Sequence, residues 1–166
     1  MIRYLYYLVT AVFLVIVQTS IIPHLPGILK FYDFLVPLAV YFSLYKPISH
    51  GLPVLVAAGL VMDMLSGAPI GIYLTTYLWV FLAFRRVARW VGIKDHLLFS
   101  LLTVLGVFFE NLIFAVAVVS GQPRGFFALD SLELILLQVL WTAITAPFLW
   151  LGFRYCFADR VRAAGR

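Results

Sequence analysis

Charge is scarce in this chain. Only 11% of its 166 residues are Asp, Glu, Lys or Arg, against 64% hydrophobic, and the mean hydropathy is +1.07. Soluble domains are about a quarter charged and about half apolar. A chain this short cannot hide so much apolar surface in a core of its own, so the composition predicts an all-α protein surrounded by lipid, where helices satisfy their own backbone hydrogen bonds. Cysteine is nearly absent: Cys156 alone excludes a disulfide framework within the chain, and it reads as a bland lipid-edge or buried thiol. The three histidines, His24, His50 and His96, are too scattered to read as a metal site, and nothing implies a cofactor. Long polar stretches are missing as well. The longest connections, about 23–33 and 120–131, leave no room for a soluble domain, so the function rests with helices and short loops.

What fills the chain instead is a series of apolar runs. A membrane helix needs roughly 20 mostly apolar residues, and reading for such runs gives six, at about 4–22, 32–46, 49–65, 70–90, 96–119 and 132–157, within one polytopic domain spanning 1–166. The second and third are short and meet at Lys46-Pro47, which predicts a helical hairpin with a tight turn. The first run is too long for the core of a signal peptide, and the segment VQTSIIP lacks a small-x-small cleavage site, so it reads as a retained helix.

The twelve Lys and Arg residues are not evenly placed. All but Lys30 and Arg124 fall at the N-terminus, at the second and fourth connections, or at the C-terminus, which the six runs put on one side. By the positive-inside rule that side is cytoplasmic, and both termini lie there. The formal net charge of +5 is then a matter of topology and of attraction to anionic lipid, and no nucleic-acid partner is needed to explain it. Aromatic residues fit the same frame. Tyr4, Tyr6, Tyr7, Tyr41, Tyr45, Trp90, Trp150 and Tyr155 fall near the inner boundary, and Phe31, Tyr32, Phe126 and Phe127 near the outer one, as interfacial belts do.

Against this background the carboxylates stand out. Asp63 and Glu110 each lie ~20 Å from the cytoplasmic start of their run at helical rise, and Glu133 borders the last one. Gln18, Asn111 and Gln138 come to similar heights, with Thr75 and Thr76 just inside the fourth run, so a polar layer is predicted in the outer leaflet. A charge at the bilayer centre costs at least ~2.5–3.5 kcal/mol, and such residues usually face the bundle interior. No Lys or Arg shares the layer, so its acids must be protonated, hydrogen-bonded, hydrated or paired with another chain.

Asp63 has a partner within reach. Ser66, Gly67 and Pro69 break the pattern after it, and Pro69 stands where a helix can begin with free N–H groups. Asp63 then reads as a cap on that break, one that an asparagine oxygen could replace with little loss. A second role is open to the same residues. Gly59, Asp63, Gly67 and Gly71 recur every four residues, and the first three share a face narrow enough for a partner helix to run along.

Catalysis finds little support. An intramembrane aspartyl protease needs a coupled carboxylate pair, and no protease-like flanking motif accompanies Asp63. Ser66 has no histidine at its height.

The stretch GLVMDMLSGAPIGIYLTTYLWVFLAF resembles the central signature of the rod shape-determining MreD family: a glycine, an apolar turn, Asp, an apolar pair, Ser-Gly, and a second glycine opening the next helix. These fall on Gly59, Asp63, Ser66, Gly67 and Gly71. The preceding YDFLVPLAVYFSLYKPISHGL looks like the aromatic-rich hairpin of that family. The resemblance implies a non-enzymatic component of the bacterial cell-elongation machinery in the inner membrane. Such a component would partner a single-span periplasmic protein, MreC, and help couple MreB filaments to the synthases of peptidoglycan. The family is similar in fold to the substrate-binding components of energy-coupling-factor vitamin transporters, which keeps a small-solute binding subunit as the alternative. Those components often carry Ala-x-x-x-Ala in the first span, and here Ala11 is its only alanine.

Overall fold

The computed structural model of the chain describes residues 2–21, 33–66, 71–91, 96–121 and 129–157, with side chains at 5–20, 33–66, 71–91, 96–116 and 135–157. Among them every regular element is helical. In chain order these are α1 (Ile2–Ile16), continued by one wide π turn (Val17–Ile21), then α2 (Leu35–Tyr45), α3 (Ile48–Ser66), α4 (Ile72–Val91), α5 (His96–Gly121) and α6 (Leu129–Phe157). Among the described residues three stretches are long and apolar enough to cross a membrane: Ile48–Ser66, His96–Val116 and Ile135–Phe157. Apolar side chains also crowd the outside of the bundle. Leu5, Val9, Phe13 and Ile16 form an exposed stripe on α1, and Leu136, Leu140, Ile144, Phe148 and Leu151 form another on α6. In water such stripes would drive aggregation; against hydrocarbon they are matched.

The second predicted run is shorter than its boundaries suggested. Helix α2 has 11 residues, about 16 Å of rise, which is roughly half the hydrocarbon thickness. It is the central helix: Leu35 to Leu44 are all buried, and α1, α3, α4, α5 and α6 all pack on it. A helix with neighbours on every side needs no polar face, which is why LVPLAVYFSLY carries none. Pro37 stands in its first turn, where a missing N–H has no helical partner to lose. The hairpin turn at Lys46-Pro47 joins α2 to α3 as expected.

One expectation about the aromatics is corrected. Tyr7 and Tyr41 are 6% and 5% exposed, too deep to be interfacial anchors. With Phe42, Phe153 and Phe157 they form a cluster of edge-on and tilted rings, with centroids 5.4–5.8 Å apart for the Tyr7–Phe42, Tyr7–Phe157, Tyr41–Phe153 and Phe42–Phe157 pairs. Sequence position near a boundary does not say which way a ring points, and here α2 turns its rings inward onto α1 and α6. Tyr6, Trp90 and Tyr155 do lie on the surface. The predicted outer-belt residues Phe31, Tyr32, Phe126 and Phe127 lie outside the described residues.

Candidate functional site: a buried acidic layer

Asp63 ends its part of α3 buried, at 3% exposure. Its carboxylate accepts three backbone N–H groups from the start of α4: Gly71 at 3.0 Å and Leu74 at 3.3 Å on Oδ2, and Tyr73 at 2.9 Å on Oδ1. The first N–H groups of a helix have no partner within it, and they carry the positive end of its dipole. Asp63 therefore caps α4 from the preceding helix. Gly71 makes the geometry possible: its φ of +99° lies where residues with a Cβ are strained, and its N–H is turned back toward Asp63. Because both carboxylate oxygens are in use, the expectation that asparagine would serve nearly as well is corrected. An amide oxygen can replace one acceptor, but its NH2 would then face an N–H.

Gly59, one turn earlier, sets the spacing of α3 and α4. A Cβ there would stand 2.8 Å from the Cα of Leu74, so only glycine lets the backbones approach this closely. The reading of Gly59 and Asp63 as an open face for a partner helix is corrected accordingly: α4 of the same chain occupies it. Ser66 closes α3 half-buried, and Gly67 and Pro69 lie outside the described residues.

A second acid, one the sequence reading left in a loop, completes the layer. Asp33 is 4% exposed and stands just before α2. Its Oδ1 accepts the N–H of Leu35 at 2.7 Å, and its Oδ2 accepts the phenol of Tyr77 at 2.6 Å. The next residue, Phe34, donates its N–H to Oε1 of Gln18 at 3.2 Å; Gln18 lies in the π turn, whose wider winding ends α1. Asp33 thus ties α2 to α4, and its neighbour ties α2 to α1. The carboxyl of Glu110, on α5, lies near Asp33. Glu110 is 5% exposed, and its Oε2 has no hydrogen-bond partner among the described residues. The rings of Tyr73 and Tyr77 lie tilted against each other beside Asp33, with centroids 6.0 Å apart.

The remaining predicted members are placed less centrally. Asn111 donates to the Val107 carbonyl at 2.8 Å and to Oε1 of Gln138 at 3.1 Å, a separate clasp between α5 and α6. Thr76 is buried and donates to the Ile72 carbonyl at 2.8 Å, whereas Thr75 is exposed. The side chain of Glu133 lies outside those described. Sequence reasoning missed Asp33, Tyr73 and Tyr77. The signal for Asp33 was present, since an Asx side chain two residues before an apolar run is a common helix-start device. For the tyrosines there was none, because a phenol inside an apolar run reads as packing.

Among the described residues no group of His, Cys, Asp and Glu is arranged to hold a metal ion. Compared with family models, with curated proteins and with solved structures, the chain matches none.

Proposed function

We propose that this chain is a non-enzymatic, multi-pass scaffold of the bacterial inner membrane that acts in cell elongation, as its resemblance to the MreD family implies. The carrying observation is what the signature residues do: Gly59, Asp63 and Gly71 build a joint between α3 and α4, a structural use with no substrate in it. Asp33 and Gln18 are likewise engaged by backbone and side chains of the same chain, holding α1, α2 and α4 in register. In this reading the chain crosses the membrane six times, with both termini cytoplasmic and the acidic layer toward the periplasm. The partners are an MreC-like single-span protein and, directly or through it, MreB-like filaments and wall synthases.

The test is co-purification with an MreC-like protein from the same membrane. Recovery near one-to-one supports the scaffold; none from a sample that melts cooperatively contradicts it. Cysteines placed at Arg124 and at Arg162, with Cys156 replaced, are expected to label from opposite sides. Labelling of both from one side contradicts the six-span topology.

The buried Oε2 of Glu110, without a hydrogen-bond partner among the described residues, favours a second reading, a small-solute (vitamin-type) binding subunit, since binding sites gather a few convergent polar groups in an apolar wall. A small molecule that co-purifies with the wild type and is lost in Glu110→Leu would select it.

A further inference from the structure

At the opposite end of the bundle a cleft of about 380 Å³ opens between the α2–α3 turn and the last turns of α4. Lys46, Arg85 and Arg89 line it together with Ser43, Tyr45 and Pro47, and among the described residues no acid lines it. Each cation is held differently. The Lys46 stem is buried, and its ammonium donates to the Phe157 carbonyl at 3.1 Å, at the negative end of α6, and sits 4.9 Å from the centre of the Tyr7 ring. Arg85 donates from one guanidinium nitrogen to the Lys46 carbonyl at 2.7 Å, which leaves most of its five N–H donors for other use. Arg89, one turn on, makes no hydrogen bond or ion pair that the described residues supply. Arg85 is half-buried and Arg89 exposed; the two like charges on one cleft repel, and an anion between them relieves that repulsion.

We propose that this cleft binds a phosphate group, presented by the headgroup of an anionic phospholipid. The proposal rests on the reading of the chain as membrane-spanning. In that reading the cleft lies at the basic end, level with the exposed Trp90 and beside Tyr45 and Trp150, whose indole N–H meets the Tyr45 hydroxyl at 3.0 Å. Such rings mark the depth at which phosphates lie. The chemistry selects the class. Two planar guanidinium forks match phosphate oxygens, and an anionic headgroup brings negative charge that a choline headgroup neutralises itself. Arg86, the neighbour of Arg85, serves as the built-in control: it lies over the Trp90 ring at 5.8 Å and does not line the cleft.

The experiment compares melting midpoints of the full chain in nanodiscs of phosphatidylcholine with and without phosphatidylglycerol, for wild type, Arg89→Gln and Arg86→Gln. Native mass spectrometry counts retained lipids in parallel. The expected result is a rise on the order of 2–4 °C with phosphatidylglycerol, kept by Arg86→Gln and lost with one retained lipid in Arg89→Gln. Equal loss in both variants would reduce the effect to general surface charge and overturn the site. Inorganic phosphate at millimolar concentration reproducing the whole rise in phosphatidylcholine would overturn the lipid source. Absence of any lipid dependence, with all three samples melting cooperatively, would overturn the proposal itself, and it would leave the scaffold reading untouched because partner recovery is measured separately.

Discussion

Asp33, Asp63 and Glu110, at one end of the bundle, are no more than 5% exposed, and backbone N–H groups and a phenol surround the first two. At the other end the cations are mostly on the surface: Arg86 and Arg154 lie over Trp90 and Trp150, at 5.8 and 5.2 Å from the ring centres. Lys46 is the exception, folded back onto α6. The contrast follows from side-chain length. A short carboxylate buried among packed helices cannot reach water and must find its donors within the bundle, whereas the long Arg and Lys side chains can carry their charge to the surface. Acids at one end therefore act as joints between helices, while the cations at the other stay at the surface.

This comparison is breakable in order of expected effect. Gly59→Leu is expected to cost most, about 3 kcal/mol or more, because even a Cβ meets the Leu74 backbone at 2.8 Å; a melt in detergent that matches wild type would show that α3 and α4 are not so closely packed. Tyr77→Phe removes one donor from Asp33 and is expected to cost about 1–2 kcal/mol, read as a lower midpoint with unchanged helix content. Arg154→Gln, at the basic end, is expected to stay within about 0.5 kcal/mol of wild type. A cost there equal to that of Tyr77→Phe would erase the difference between the ends.

Much of this arrangement is legible in the sequence, and for specific reasons. Apolar runs locate the helices because each described helix is apolar along most of its length. The Lys46-Pro47 turn shows because proline restricts the residue before it. Asp63 shows because a carboxylate in such a run is costly without donors, and the break that follows supplies them. What does not show depends on direction in three dimensions. Asp33 reads as the end of a loop until α4 brings Tyr77 to it, and Tyr41 reads as a belt residue until α2 is seen at the centre. Gly59 and Asp63 share a face by spacing alone, but spacing cannot say whether the helix on that face belongs to this chain or to another.

The central claim is that Asp63 joins α3 to α4 through both carboxylate oxygens. Its most direct measurement is the melting midpoint of wild type, Asp63→Asn and Asp63→Leu, purified in the same detergent. The account predicts a graded loss. Asparagine keeps an acceptor for some of the three N–H groups and is expected to lose about 1–2 kcal/mol, while leucine leaves all three without a partner and is expected to lose about 3 kcal/mol or more. Midpoints for all three that coincide would contradict it, and would return Asp63 to a role outside the bundle.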